Sequence, residues 1–548
     1  KNNILSNTRT GGTGKHYAIG NVHTVPATGW GAGASDFEVL NSPVAGTVGI
    51  WGLAADQTFA NWKVASVSDA SSLSGVSVPF VAPASGDLHV NYGLTATSVE
   101  SGGTVIAGLT TDYDNQVRPG PAGSVNGGAL APDMGADEFD GVPLDTAAPA
   151  ISYTALPATT FTTNRLLSAT ITDAFGVSGG ADAPRIYFRK NAGSYFSTQC
   201  GAPTANVYPC TIDYSLVGGA ATLDVIDYFV VAQDAAGNVG ANPSGGFSAT
   251  NVNSITTPPT VPSTYTIVAG TTGTKTVCAS GCDYTTLTAA GGVFAALNAA
   301  IFTGNVNIEI NGDLVVGEDG SVALNPPTEE PAGSNFTLKF YPTGVARAIT
   351  STTAPAGGFI RLNAADRVTI DGSIGGTGTD RSLTITDTNT GASSAAIWLQ
   401  SNGADGATNN TIKNVNIIGT SVTATAGTLF GIGSGSATVS VTSFGTGNVN
   451  NTFQNNDIRK TQIGIYSGGA SAANKNTGTV ISQNVMNAAS PNNLTTGGIL
   501  VNFDNGASIT RNDIGNIIKH DGTVGTTGTA FGIALGVVPS NTVTAFGG

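Results

Sequence analysis

Residues 390–540 repeat one short motif, a small residue followed by isoleucine. The five copies are Ala396-Ile397, Gly431-Ile432, Gly464-Ile465, Gly498-Ile499 and Gly532-Ile533. Their isoleucines are 35, 33, 34 and 34 residues apart, while the Gly-, Asn-, Ser- and Thr-rich segments between them differ in sequence. Such even spacing is typical of a solenoid, in which each coil contributes the same short strand and polar loops absorb the variation.

A second apolar series runs beside the first. It contains Ile412, Phe453, Ile481 and Ile509, each followed five residues later by another apolar residue, namely Ile417, Ile458, Met486 and Ile514. Together the two series predict two strand positions per coil of a parallel β-helix, with coils stacked about 4.8 Å apart. We expect the solenoid core to contain Ile397, Ile432, Ile465, Ile499 and Ile533.

Asparagines lie next to these strands at positions 414, 455, 456, 484 and 512. They have two interpretations. They are either ligands for a sugar or an ion, or turn residues that tolerate a left-handed backbone and hydrogen-bond to adjacent coils. We favour the turn interpretation because it requires no ligand.

The chain divides into three predicted domains. Residues 1–142 are expected to be the C-terminal coils and closing region of one β-helix, since Asn2–Asn7 and Ala18-Ile19 are similar to the two series. Residues 143–262, with strand-like runs between turn-rich pieces, predict a β-sandwich. Residues 263–548 are expected to contain a capping helix over Leu287–Ile301, followed by the first coils of a second β-helix.

The composition excludes several classes of function. Only 10% of the residues are charged, against roughly 25% in ordinary domains. The net charge of −14 argues against binding to nucleic acid or to anionic membranes. The sequence has no stretch of about 18 apolar residues, which would be needed to predict a membrane span. The sequence starts at Lys1 without a leader, so we expect a signal peptide to have been removed or to lie outside this segment.

The four cysteines form two close pairs in the sequence, Cys200 with Cys210 and Cys278 with Cys282. This spacing predicts two local disulfides, which are typical of an oxidising compartment and favour an extracellular location. The alternative is a four-cysteine zinc site. It would require the two pairs to converge from different predicted domains.

Several motifs are similar to those of large secreted or surface bacterial proteins. They are Thr111-Asp112-Tyr113-Asp114, Arg118-Pro119-Gly120-Pro121, Pro132–Phe139 and Gln233–Asn238. The chain resembles members that alternate right-handed parallel β-helices with immunoglobulin-like domains. The resemblance implies an all-β fold in which β-helix segments flank an immunoglobulin-like sandwich, and an extracellular or cell-surface location. Its motifs mark structure, and none of them is catalytic.

The order of the predicted domains suggests an assembly. Both ends of the chain are predicted to lie within a solenoid, and joining Gly548 to Lys1 would place Ile533 and Ile19 34 residues apart, one coil period. We therefore expect copies of the protein, or adjacent repeats, to stack end to end. Whether the continuation is covalent stays open.

Catalysis is the main alternative, because parallel β-helices include enzymes that degrade polysaccharides. That chemistry requires paired carboxylates, or acidic residues beside a basic residue, on neighbouring coils. The candidates are Glu309, Asp313, Arg361, Asp366, Arg367 and Asp371. These residues do not recur at the coil spacing, so we predict no catalytic residues.

Three further groups are candidate binding residues. Asp112 with Asp114, and Asp234 with Asn238, place oxygen atoms at the short spacing of a calcium loop, although we favour the interpretation that they form Asx turns. Trp30, Trp51 and Trp62 either contact surface glycans or cover the end of the solenoid. The histidines (His16, His23, His89 and His520) show no metal-ligand spacing. We expect no cofactor except calcium.

These observations predict a non-enzymatic extracellular structural module, a repeat unit of a surface adhesin, fibre or filament. The alternative is a carbohydrate-binding or polysaccharide-degrading β-helix protein. An enzyme should show clustered acidic residues in a cleft. A glycan-binding protein should show exposed aromatic rings. A filament subunit should have two ends that contact neighbouring copies.

Overall fold

The computed structural model describes residues 1–26, 28–43, 46–52, 55–120, 131–352, 357–391, 393–421, 426–518 and 530–536. In this part of the chain the regular structure is nearly all β, with two short α-helices. The prediction of an all-β chain is therefore confirmed. Pro121, His520 and the proposed joint at Gly548 lie outside the described residues.

The N-terminal region contains short strands, several of them paired in parallel. Its elements are β1 (Ile4–Ser6), β2 (Ile19–Asn21), β3 (Val39–Asn41), β4 (Gly49–Trp51), β5 (Ala55–Gln57), α1 (Phe59–Ser66), β6 (Leu73–Ser74), β7 (Phe80–Ala82), β8 (Asp87–Val90), β9 (Ala96–Thr97) and β10 (Val142–Pro143). Ile4 lies beside Val39 and Val39 beside Leu73, with separations of 35 and 34 residues. Ile19 lies beside Gly49 in a second parallel pair. These pairs have the geometry of solenoid coils.

Helix α1 was not predicted from the sequence. Its N-terminus is capped by Thr58, whose side chain accepts a hydrogen bond from the backbone N of Asn61, and it ends at Val67, which has a φ of 48°. The helix buries Trp62 completely. Its apolar residues are spread around the helix and give no clear helical periodicity, so the sequence pattern does not predict it.

The middle region consists of antiparallel strands in two main sheets around one core. Its strands are β11 (Ala150–Ser152), β12 (Arg165–Thr172), β13 (Arg185–Lys190), β14 (Phe196–Gln199), β15 (Val207–Ile212), β16 (Val225–Gln233), β17 (Val239–Asn242), β18 (Ser248–Asn251), β19 (Ser254–Thr257) and β20 (Ser263–Thr266). One sheet has the order β11-β12-β15. The other has the order β14-β13-β16-β17, with β20 also paired to β16. Hydrogen bonding of this region thus continues past residue 262, the expected boundary.

The alternation of residues in β12 shows why the middle region folds as layers. Leu167, Ala169 and Ile171 point into the core, while the residues between them are exposed. The Cys200–Cys210 disulfide connects the residue after β14 with β15, so it links the two sheets.

The C-terminal region is a stack of parallel strands. Its elements are β21 (Gly270–Val277), α2 (Val293–Asn298), β22 (Ile301–Ile310), β23 (Thr328–Glu329), β24 (Leu338–Pro342), β25 (Arg347–Thr350), β26 (Gly357–Asn363), β27 (Val368–Asp371), β28 (Leu383–Thr386), β29 (Ser394–Gln400), β30 (Thr411–Lys413), β31 (Val415–Ile418), β32 (Phe430–Gly435), β33 (Thr452–Gln454), β34 (Asp457–Arg459), β35 (Ile463–Gly468), β36 (Asn476–Thr477), β37 (Val480–Ser482), β38 (Val485–Met486), β39 (Gly497–Asn502), β40 (Asp504–Asn505), β41 (Ser508–Thr510), β42 (Asp513–Ile514) and β43 (Phe531–Leu535).

These strands form three long parallel sheets with the arrangement of a parallel β-helix. The first sheet has the order β21-β22-β24-β27-β30-β33-β37-β41, the second β25-β28-β31-β34-β38-β42, and the third β26-β29-β32-β35-β39-β43. A coil therefore contributes three strands, whereas the sequence predicted two. The second apolar series spans two of them, because a residue with positive φ, such as Asn414 (φ 60°) or Asn455 (φ 51°), turns the chain between the strands.

The isoleucine series forms one continuous row on the third sheet. Ile397 lies beside Ile432, Ile432 beside Ile465, Ile465 beside Ile499, and Ile499 beside Ile533. The first four are fully buried, which confirms the predicted core. Ile533 is in register but 49% exposed, because it lies on the outermost strand of the sheet within the described residues. Its assignment to the core was therefore wrong.

The predicted capping helix is shorter than expected. Residues 287–301 contain only α2, because Gly291 (φ 82°) forms a turn before it and Ile301 already begins the long strand β22. The helix still buries Val293, Phe294 and Leu297 in the core of the β-helix. It therefore contributes the apolar contacts expected of a cap.

Candidate functional site

Asparagines form a buried ladder across three successive coils. Asn456 Nδ2 donates to Asn484 Oδ1 (3.0 Å), and Asn484 Nδ2 donates to Asn512 Oδ1 (2.9 Å). The same oxygens accept hydrogen bonds from the backbone N of Asn456 and of Asn484, both at 3.0 Å. These amides are occupied within the protein, as the turn interpretation required.

The acidic candidates for catalysis are hydrogen-bonded to neighbouring coils. Asp366 Oδ1 accepts from the backbone N (2.8 Å) and the hydroxyl (2.6 Å) of Thr408. Asp371 is fully buried; it accepts from Asn414 Nδ2 (2.8 Å) and lies 3.1 Å from Lys413 Nζ. These contacts connect residues of neighbouring coils.

The remaining catalytic candidates make similar contacts. Arg361 donates to two backbone carbonyls, Arg367 contacts Glu329 Oε1 at 2.8 Å, Glu309 accepts from Tyr341 and Asp313 accepts from the backbone N of Ala348. Each contact lies between elements that are distant in sequence. The arrangement is therefore suited to holding coils together.

The three tryptophans contact one another edge to face. The centroid distances are 5.7 Å for Trp30 and Trp51, 5.7 Å for Trp30 and Trp62, and 5.5 Å for Trp51 and Trp62, with interplanar angles of 84–87°. Trp62 is fully buried, and its Nε1 donates to Asp69 Oδ2 (2.7 Å). Because the rings do not form a coplanar platform, this packing favours the covering role over sugar stacking.

Asp112 and Asp114, the first pair of calcium candidates, make different contacts. Asp112 Oδ1 accepts from the backbone N of Asp114 (2.9 Å) and Gln116 (2.7 Å), and its Oδ2 accepts from the backbone N of Glu138 (3.0 Å). These contacts favour the turn interpretation for Asp112. Asp114 instead points its Oδ2 at Nε2 of His89, 2.7 Å away.

His89 lies on strand β8 and is the centre of a small acidic cluster. Its Nδ1 lies 2.6 Å from Asp87 Oδ1, and one ligand atom from each of His89, Asp114 and Asp137 lies within 4.8 Å of the others. Hydrogen bonds to Asp87 and Asp114 raise the pKa of His89 to about 9. The cluster lines a cleft of about 550 Å³ together with Leu88 and Tyr113.

The other histidines of the N-terminal region have different surroundings. His16 Nε2 lies 2.8 Å from the carbonyl oxygen of Gly11, and His23 Nδ1 lies 2.9 Å from that of Val25. Both contacts are local and exposed.

The second calcium pair belongs to a buried acidic cluster. Asp234 Oδ1 accepts from the backbone N of Asn238 and its Oδ2 from Asn238 Nδ2, both at 2.8 Å. One carboxylate oxygen from each of Asp145, Asp173 and Asp234 lies within 4.8 Å of the others. Asn238 Nδ2 also donates to the backbone oxygen of Asp145 (3.1 Å), so Asn238 orients this group.

Asp145 has an incomplete set of partners. The residue is only 9% exposed; its Oδ1 accepts from the backbone N of Ala147 (2.9 Å), while its Oδ2 is buried without a hydrogen-bond partner. Burial raises the pKa of Asp145, and the carboxylates of Asp234 and Asp173 raise it further. A buried carboxylate oxygen next to two other carboxylates is stabilised only by a proton or a cation.

Sequence reasoning missed His89, Asp137, Asp145 and Asp173. No local spacing marks them, because Asp145 lies between β10 and β11, Asp173 follows β12 and Asp234 follows β16. Only the fold brings these segments together. The signals available in the sequence were the short spacings of Asp234 with Asn238 and of Asp112 with Asp114.

The cysteines form the two predicted disulfides, Cys200–Cys210 and Cys278–Cys282. This pairing is confirmed and leaves no thiolates for the alternative zinc site. Among the described residues, neither helix combines the length and the apolar character needed to cross a membrane. No protein-family model and no curated protein matches this chain.

Proposed function

We propose that this protein is a non-enzymatic extracellular structural module, a repeat unit of a surface adhesin, fibre or filament. In this proposal both β-helices are right-handed and the middle region is an immunoglobulin-like sandwich. Two disulfides support an oxidising, extracellular environment. The absence of a match to any family model leaves the proposal to depend on the geometry.

The observation that carries the proposal is the use of polar side chains inside the coil stack. Asparagine amides and the carboxylates of Asp366 and Asp371 bind neighbouring coils, so their hydrogen-bonding capacity serves cohesion. A catalytic carboxylate needs a free oxygen directed at a substrate. The alternative of a glycan-binding or polysaccharide-degrading protein has less support, because the Trp30, Trp51 and Trp62 rings pack edge to face.

The contact between the middle region and the β-helix also fits a stiff module. Glu330 Oε1 accepts from the hydroxyl of Thr159 (2.7 Å), and its Oε2 accepts from the backbone N (2.5 Å) and the hydroxyl (2.6 Å) of Thr160. Charge-assisted hydrogen bonds of this kind are stronger than neutral ones. One carboxylate thus restrains the orientation of the two regions.

Calcium is the cation that we propose for the cluster of Asp145, Asp173 and Asp234. All its ligand atoms are oxygens, which calcium prefers, and modules of the extracellular space bind calcium with dissociation constants of roughly 0.1–1 mM. The buried Oδ2 of Asp145 supplies a ligand that has no other partner. Because Asp145 lies between β10 and β11, bound calcium would hold the connection between the first two regions.

Calcium is expected to raise the thermal stability of the protein through this cluster. At a free concentration 100 times the dissociation constant, binding adds about 2.7 kcal/mol to the free energy of unfolding. Differential scanning calorimetry with and without excess EGTA measures the effect. Asp145→Asn should abolish the difference, whereas the control Asp182→Asn, outside the cluster, should keep it. An equal calcium response in Asp145→Asn and the unmodified protein would contradict the assignment.

End-to-end association is the second expected result of the proposal. Ile533 and Leu535 are 49% and 46% exposed on the outermost described strand of the third sheet, where a second copy would continue the apolar row. We expect light scattering and negative-stain micrographs to show elongated particles that lengthen with protein concentration. Ile533→Asp should prevent this lengthening, because it places a charge in the contact, and Val316→Asp, at a 78% exposed loop position, should not. Dispersed particles of one length at every concentration would rule out this mode of assembly.

A further inference from the structure

The acidic cluster around His89 has the arrangement of a metal site. The proposed structural function does not require such a site. Asp87 and His89 are two residues apart on strand β8, so their side chains lie on the same face. Asp87 Oδ1 is 2.6 Å from Nδ1 of His89, which leaves Nε2 directed at Asp114 and Asp137. A carboxylate on one imidazole nitrogen is the usual support for a metal bound to the other.

The charge of the cluster is unbalanced. His89 is the only basic group within ion-pair distance of Asp87, Asp114 or Asp137 among the described residues. Asp137 is 9% exposed, and its Oδ2 accepts from the backbone N of Val90 (2.6 Å), so its position is fixed. Three carboxylates around one imidazole carry a net negative charge that a divalent cation would neutralise.

We propose that His89 Nε2, which releases its proton to solvent, and the carboxylates of Asp114 and Asp137 bind a zinc ion, with Asp87 orienting the imidazole. One nitrogen and two oxygen ligands suit zinc better than calcium, which prefers oxygen alone. The zinc site is independent of the proposed function and of the calcium cluster, since it uses none of the same residues.

The local structure can accommodate the ion with a small movement. Two ligands of a tetrahedral zinc ion lie roughly 3.3 Å apart, given bonds of about 2.0–2.1 Å, so the 2.7 Å contact between His89 and Asp114 must lengthen. The side chain of Asp114 is 36% exposed and that of His89 51%, so both have room to move. Three protein ligands leave one coordination position for water, and all three residues line the cleft beside Tyr113.

Zinc titration of the tag-free, chelator-treated full chain tests the proposal. Isothermal titration calorimetry with zinc chloride should show a site that His89→Gln weakens at least 30-fold. Asp87→Asn should weaken it about 10- to 100-fold, as expected for a supporting carboxylate. Cobalt chloride should give visible absorption bands of a four- or five-coordinate ion in the unmodified protein, and His89→Gln should lose them.

Two control variants make the outcome decisive. His23→Gln removes an exposed histidine of the same region whose ring hydrogen-bonds to the backbone of Val25, and this variant should bind zinc unchanged. Asp145→Asn removes the calcium cluster and should also bind zinc unchanged. Equal zinc affinity in His89→Gln and His23→Gln, with circular dichroism showing both folded, would overturn the proposal.

Discussion

Ile465→Ala is expected to lower the free energy of unfolding of the C-terminal β-helix by about 2–5 kcal/mol. Ile465 is fully buried between Ile432 and Ile499, in the middle of the isoleucine row. Removing its side-chain atoms loses their transfer free energy and leaves a cavity that the coils above and below cannot fill without breaking their register. Urea denaturation followed by far-ultraviolet circular dichroism measures the loss.

The same row provides a matched control for this prediction. Ile533→Ala changes the same residue type on the same sheet, but Ile533 is 49% exposed, so we expect a loss below about 1 kcal/mol. Hydrogen exchange should show faster exchange in β32, β35 and β39 for Ile465→Ala only. Equal losses in the two variants would mean that burial in the row does not determine stability.

The coil repeat was predictable because a parallel solenoid requires the same residue at the same place in each coil. Ile432, Ile465 and Ile499 stack directly, so each is restricted to a side chain that fits the narrow interior. Loops outside the stack carry no such restriction. The periodic signal therefore came entirely from the strands, and it was sufficient to predict stacked parallel sheets.

The number of strands per coil was not predictable from the same signal. The corner between the first and second sheets is one or two residues long and contains one residue of positive φ, which is Asn414, Asn455, Gln483 or Arg511 in successive coils. Asparagine at two of these positions indicates a turn, but glutamine and arginine do not. Two strands joined by so short a corner therefore have the sequence pattern of one longer strand.

The candidate sites were predicted least well, because they are assembled from distant segments. Asp145, Asp173 and Asp234 are separated by 28 and 61 residues, and neither Asp145 nor Asp173 has a neighbour in sequence that identifies it as a ligand. His89 and Asp137 are similarly remote from each other. The sequence indicated only Asp234 with Asn238 and Asp112 with Asp114, while the geometry of the ligands depends on how distant segments meet.

Asn484→Ala is expected to have an effect as large as a core truncation, although it removes only polar atoms. Asn484 is fully buried; its Oδ1 accepts from the backbone N and Nδ2 of Asn456, and its Nδ2 donates to the backbone oxygen of Phe453 (2.9 Å). Alanine removes the side-chain acceptor of the buried backbone N of Asn456 and the side-chain donor to the backbone oxygen of Phe453, at about 1–3 kcal/mol each. We therefore expect the free energy of unfolding to fall by about 3–5 kcal/mol, measured by urea denaturation.

Asn487→Ala is the matched control, because Asn487 is an exposed asparagine three residues away and its removal should cost less than about 1 kcal/mol. The ladder also predicts coupling between coils. Since Asn484 Nδ2 donates to Asn512 Oδ1, the double variant Asn484→Ala/Asn512→Ala should lose less stability than the sum of the single variants. Additive losses would show that the hydrogen bond between Asn484 and Asn512 contributes nothing to the cohesion of the stack.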